Sequence, residues 1–252
     1  MKSRWLLVAL LGVAMLVAGC SVTVGGVARR APGSTPGSVG GQAIQRVLLG
    51  RSALSRIVKQ PLTVDPQSPP LFGGPESLRG DTSAWPADCM GVAVMLQDGA
   101  YRTSNVRGVA LETWRPEAKS APVTRVKEGV VSLEKAADAN ALFDKISQEW
   151  RSCEGKVLNP SGGSFGLEVK ISDVQVASSV LAATVSMGFN LASPLSESIP
   201  SGRALGVRDN CLIEVEVDFV NTFGPLSQGA GDVNSSALDI AQVMRDKVTA
   251  LS

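Results

Sequence analysis

The chain of 252 residues contains no histidine. That absence removes Ser-His-Asp triads, Cys-His dyads, His-ligated zinc and imidazole acid–base chemistry. Catalysis would have to rest on carboxylates, lysine, cysteine or tyrosine, and Tyr101 is the only tyrosine. An excess of either charge is also missing. The 24 Lys and Arg stand against 23 Asp and Glu, which gives no electrostatic reason to expect nucleic acid as a partner. After residue 17 no further apolar run approaches the length of a membrane span, so nothing beyond the N-terminus is expected to cross one. What remains is 44% apolar and 19% charged. That composition is globular and suits one large domain or two small ones.

The first twenty residues read as an address. Lys2 and Arg4 precede an uncharged apolar run from Trp5 to Val17. At 13 residues the run is short for a transmembrane helix and fits the apolar core of a secretory signal. Leu16-Val17-Ala18-Gly19-Cys20 then resembles a bacterial lipobox, which implies a signal peptide over 1–19 and lipid on the thiol of Cys20. An ordinary signal peptide or a retained anchor helix are the alternatives. Cleavage before Cys20 leaves 233 residues with 22 basic and 23 acidic groups. A chain so close to neutral leaves the lipid, rather than a basic patch, to hold it on the membrane. Residues 20–41 are rich in Gly, Ser and Pro without apolar periodicity and read as a flexible tether. About 20 such residues reach roughly 25 Å. Arg29-Arg30 within it reads as a solvated pair.

The rest of the chain alternates in period. Ile44 to Val58 has near-helical apolar spacing interrupted at Gly50, predicting one or two short helices, and Pro61 to Pro86 reads as loop. Short apolar segments follow from Gly91. Asp138 to Cys153 is the clearest helix, with Ala139, Leu142, Phe143, Ile146 and Trp150 on one face, so Phe143 and Trp150 are expected in the core. Strands are expected at Val169–Val176 with a bend near Asp173, at Val180–Met187, at Ala204–Arg208 and at Cys211–Phe219. In the last, Cys211, Ile213, Val215, Val217 and Phe219 share one face, and Leu212, Glu214, Glu216 and Asp218 the other. That alternation predicts a half-buried antiparallel strand with a solvated acidic face. Ser235 to Leu251 reads as a closing amphipathic helix. The sum is an α+β fold: a mainly antiparallel sheet packed with helices in a single domain over 42–252.

With Cys20 lipidated, three cysteines remain. Cys211 sits in an apolar strand face, where a thiol behaves as a small hydrophobe. Cys89 and Cys153 stand at a loop–strand junction and a helix end, where a bridge bends no strand, and an exported setting favours that pairing over three reduced thiols.

Two segments then carry a family resemblance. Ala141 to Gly155 contains Phe143-Asp144 running into Trp150-Arg151-Ser152-Cys153-Glu154-Gly155, and Arg203 to Asn210 reads Arg-Ala-Leu-Gly-Val-Arg-Asp-Asn before a strand. Together with Val47–Val64 and Asp88-Cys89 they resemble the PknH-like extracellular sensor domain, over roughly Gln42 to Ser252. The resemblance implies an actinobacterial, mainly mycobacterial origin. Lacking a kinase segment, the chain resembles the free-standing lipoprotein form at the outer face of the cell membrane. It implies a non-catalytic sensor with a ligand cleft beside the sheet, and the Cys89–Cys153 bridge. A second bridge of many members would join the positions held here by Ser201 and Asp218, so it is missing.

Chemistry was sought elsewhere without result. Gly162 to Gly166 lacks the Lys-Ser/Thr of a phosphate loop, no mature Ser-x-x-Lys occurs, and the sequon at Asn234 is weak in a bacterial setting. Glu214, Glu216 and Asp218 as a cation site lack a shaped loop. No catalytic residue, metal site or cofactor is expected. Trp85 and Trp114, outside the clear helices, are the candidates to line a ligand cleft. The expected partners are the membrane, a small-molecule or envelope ligand, and an envelope protein. The competing reading is a carrier of lipid or another apolar molecule, which predicts a deep apolar cavity.

Overall fold

The computed structural model describes residues 37–80, 89–160, 166–189, 198–220, 233 and 235–252, all within a compact unit over 36–252. A 3-10 helix, Gly41–Val47, and helix α1, Arg51–Ile57, realise the first helical pattern. Gly50 breaks them at φ 79°, a left-handed value that glycine adopts without strain. The stretch read as loop holds two three-residue strands, β1 (Leu62–Val64) and β2 (Leu71–Gly73), too short to leave an alternation signal. Two single-turn helices follow, α2 (Met90–Ala93) and α3 (Asp98–Tyr101), so Cys89 precedes a helical turn rather than a strand.

Strands β3 (Val106–Pro116) and β4 (Val123–Leu133) lead into α4 (Ala136–Ser152), which starts two residues before Asp138. Then come β5 (Val157–Leu158), β6 (Leu167–Ala177), β7 (Val180–Phe189), β8 (Ser198–Arg208), β9 (Cys211–Phe219) and α5 (Ser236–Leu251). The bend near Asp173 is a register shift between Ser172 and Gln175, with Asp173 at φ 57°.

The strands form one antiparallel sheet in the order β1-β3-β4-β9-β8-β7-β6-β5, with β2 also on β3. Helices cover both faces. On one, the 3-10 helix, α1 and α5 bury Ile44, Val47, Leu54, Ile240 and Met244 against Cys211, Ile213, Val215 and Val217. On the other, α2, α3 and α4 bury Val92, Tyr101, Phe143 and Trp150 against Val131, Leu205 and Leu212. Phe143 and Trp150 therefore sit in the core, as the helical period requires. Strand β9 is central and buried along its whole length, not half-buried.

The chain enters at the turn between β8 and β9. There Asn210 accepts from Val39 N–H (2.9 Å) and donates to Val39 and Leu133 carbonyls (3.0 and 2.8 Å). Helix α4 starts beside that turn and crosses the opposite face to β6, where Gly155 N–H donates to Ile171. Its 17 residues span about 25 Å.

Candidate functional site

At the far end of α4 the Cys89–Cys153 disulfide joins α2 to the helix terminus, with a Cα separation of 5.7 Å. Beside it opens a cavity of about 560 Å³. Its walls are α2 and α3 on one side and the last turn of α4 on the other. Met90 and Ala100 supply apolar surface above the buried Val92 and Trp150; Gln97, Arg102, Glu149, Ser152 and Lys156 supply polar and charged groups. The Trp150 ring is 1% exposed, and its buried Nε1–H has no hydrogen-bond partner among the described residues.

The supports of those walls lie in the sheet beneath. The acidic face of β9, expected to be solvated, is buried: Glu214, Glu216 and Asp218 are 5%, 8% and 7% exposed. The alternation of the strand was legible, but not the layer of α2 and α3 that covers it. Three cations from the flanking strands neutralise the three carboxylates in register. Arg203 on β8 and Lys127 on β4 both stand opposite Glu216, and Arg125 stands opposite Asp218. Lys127 forms an ion pair with Glu216, and Arg125 pairs with Asp218 at 2.6 Å. Burial alone would raise the Glu216 carboxyl, but Lys127 and Arg203 hold it below its ordinary value.

Arg203, 1% exposed, connects this ladder to the cavity. It donates to Glu214 (2.9 Å) and Glu216 (3.5 Å), and in the other direction to the carbonyls of Val92 (3.0 Å) and Gly91 (3.3 Å) in the cavity wall. Its guanidinium lies 5.8 Å from the centre of the Trp150 ring, within cation–π range. Glu214 also accepts from Tyr101 Oη (2.6 Å) and Leu96 N–H (3.1 Å), fixing the α3 wall. Burial, then the Glu214 charge, pushes the Tyr101 hydroxyl well above its ordinary pKa, so it remains a donor.

Trp114 is not part of this site. It is 5% exposed on the opposite face, where its Nε1–H donates to Glu128 (3.1 Å). Its burial has a simple cause: β1 and β4 flank β3, and the 3-10 helix covers it. Trp85, Cys20, Asn234 and residues 162–165 lie outside the described residues. Cys211 is a free, buried thiol on the α5 face, pushed up to about 12 by burial and by Asp209. Among the described residues no group of three His, Cys, Asp or Glu side chains is placed to hold a metal. Sequence reading missed Arg203 as a wall support. Its one signal was a lone arginine in an apolar strand next to the acidic strand β9.

Comparison with known proteins places this architecture. The model of the PknH-like extracellular domain matches residues 39–247, and the chain belongs to that family. The solved extracellular domain of PknH from Mycobacterium tuberculosis is similar in fold. Its TM-score is 0.66 at 16% identity, covering 86% of this chain and 100% of that one. A hypothetical protein from Helicobacter pylori, at 12% identity over 50% of this chain and 86% of its own, has a TM-score of only 0.28 and supports no argument. No curated protein matches the sequence. The family is one of extracellular domains, and among the described residues no helix is long and apolar enough to cross a membrane.

Proposed function

We propose that the chain is a non-catalytic, lipid-anchored envelope protein whose sensor domain binds a small ligand in the cavity beside the Cys89–Cys153 bridge. The observation that carries this reading is the lining. A volume of about 560 Å³ lies within the range of small-molecule sites, and apolar Met90 and Ala100 share its wall with Arg102, Glu149 and Lys156. Such a mixed wall suits a ligand with an apolar body and an ionic or hydrogen-bonding group, and argues against a carrier of purely apolar molecules. Binding rather than turnover is supported by what the wall holds. Cys153 is bridged, Ser152 Oγ is occupied by the Glu149 carbonyl (2.8 Å), and the one free thiol among the described residues lies on the other face. The order of positive residues, apolar run, small residues and Cys20 supports the anchor.

Native mass spectrometry of the protein purified from its own envelope tests both parts. A ligand adduct is expected on the native chain. It should vanish in Ser152→Trp, whose ring fills the cavity from an exposed position, with the melting temperature unchanged. An adduct that survives the substitution places the ligand elsewhere. Cys20→Ala should release the protein to the medium or leave an uncleaved precursor.

A further inference from the structure

The whole-chain balance of charge conceals a segregation. The first acidic residue is Asp65, and eight of the 24 Lys and Arg precede it. The other sixteen face all 23 Asp and Glu, so the chain from Asp65 onward is net negative by seven. Four of the early cations belong to the folded unit: Arg46, Arg51, Arg56 and Lys59 are all exposed on the 3-10 helix, α1 and the residues that follow, with Ile44, Val47, Leu54 and Val58 buried beneath them. Arg245 and Lys247 of α5 extend the layer, against Asp239 and Asp246; Glu117 pairs with Arg51 at 3.4 Å in the open. Arg51, Arg56 and Lys59 border a shallow depression of about 440 Å³ lined by Ser52 and Ser55. The opposite layer reverses the sign. Helices α2 to α4 carry Asp98, Asp138, Asp144 and Glu149 against Lys145 and Arg151.

We infer that the 3-10 helix, α1 and the residues that follow α1 form a basic face that lies on an anionic bilayer, turning the cavity on the other side of the sheet away from the lipid. Charge complementarity argues for the occupant. One lipid signal holds a protein more firmly when a basic patch accompanies it, and each Lys or Arg near an anionic surface strengthens binding about fivefold. The inference stands on the charges alone and does not need the anchor or the ligand.

The test uses the 36–252 unit, which encloses both of its cores and lacks the N-terminal segment. It is sedimented with phosphatidylcholine vesicles containing or lacking phosphatidylglycerol. Binding is expected only with phosphatidylglycerol and should fall steeply with salt. Arg46→Gln, Arg56→Gln and Lys59→Gln together should lower partitioning roughly 100-fold, with an unchanged melting temperature. Ser152→Trp should bind vesicles normally, which separates this face from the ligand cavity. Equal binding to both vesicle types, no binding to either, or full binding by the triple variant overturns the inference. Equally tight binding to poly-glutamate would reassign the face to an acidic protein.

Discussion

The two faces of the central sheet both bury carboxylates, and they neutralise them by different means. Under α2, α3 and α4, Glu214, Glu216 and Asp218 meet Arg203, Lys127 and Arg125, charge for charge. Under the 3-10 helix and α1, Glu128 makes no ion pair among the described residues. It accepts from Leu49 N–H (2.8 Å), Trp114 Nε1–H (3.1 Å) and Gly50 N–H (3.5 Å). The charged side chains nearest to it are Glu112 on β3, which raises its pKa, and Lys247 on α5, whose ammonium donates to the Leu48 carbonyl. Uncharged donors compensate burial less than a cation does, and Glu128 is pushed up to about 7, by burial first. The pairing of a cation to each acid gives the first face a rigid support for the cavity. Glu128 gives the second face a hydrogen-bonded joint that docks Leu49 and Gly50, between the 3-10 helix and α1. The comparison teaches that the two means of compensating a buried carboxylate shift its pKa in opposite directions, down for Glu216 and up for Glu128.

The sharpest way to break the contrast is at Arg203. Arg203→Met leaves Glu214 and Glu216 buried with one cation fewer, and should destabilise the fold by about 3–5 kcal/mol. Urea unfolding measures it. Amide exchange should also quicken at Gly91–Val92, whose carbonyls Arg203 holds. Adding Glu214→Gln to that variant should recover part of the loss, because the stranded charge, not the missing contact, dominates the penalty. A loss below about 1 kcal/mol would mean the ladder is wet and the face is solvated after all.

The joint at Glu128 predicts an opposite response to pH. Its folded pKa, about 7, lies above the ordinary 4.5, so folding favours the protonated form. That contribution is fully present below pH 4.5 and is lost as pH rises through 7. It amounts to about 3 kcal/mol over the interval. Glu216 runs the other way. Its carboxyl is held below the ordinary range, so its contribution is present above that range and disappears as pH falls through the lowered value. Glu128→Gln should therefore flatten the stability profile between pH 5 and 8 while leaving acid unfolding unchanged. Denaturation midpoints across that range decide it; a profile that falls equally in the variant removes Glu128 as the source.

How far the sequence could be read follows the same division. Period and punctuation located α4, α5, β7 and β9 to within about two residues, because each has a long apolar stripe or alternation. The bend at Asp173 and the break at Gly50 were legible for the same local reasons, and the Cys89–Cys153 bridge from cysteine parity and the family resemblance. What escaped depends on partners distant in sequence. Glu214, Glu216 and Asp218 looked solvated because alternation reports two faces and not what covers them. Trp114 looked available for a ligand because nothing in β3 announces the layer above it. Arg203 lay in a quoted motif, yet its role needs Gly91, more than a hundred positions away. The same reasoning extends to charge: summation over the chain gave neutrality, and only the ordering of residues along it reveals the basic N-terminal segment.

The smallest expected effect concerns the missing second bridge. Ser201 and Asp218, the positions where the family resemblance expects cysteines, are direct cross-strand partners on β8 and β9. Ser201 Oγ donates to Asp218 Oδ1 at 2.7 Å, and Arg125 holds the other oxygen. A hydrogen bond thus stands where a covalent link would, at the end of the ladder nearest solvent. Ser201→Ala removes one neutral donor while Arg125 still satisfies the carboxylate, so the loss should be about 1 kcal/mol. Ser201→Cys with Asp218→Cys should form a disulfide on oxidation. The bridge would offset the loss of the Arg125 pair, so net stability should change little, but unfolding should become sensitive to reductant. Free thiols at both positions after oxidation would show that these two residues do not stand in for the bridge.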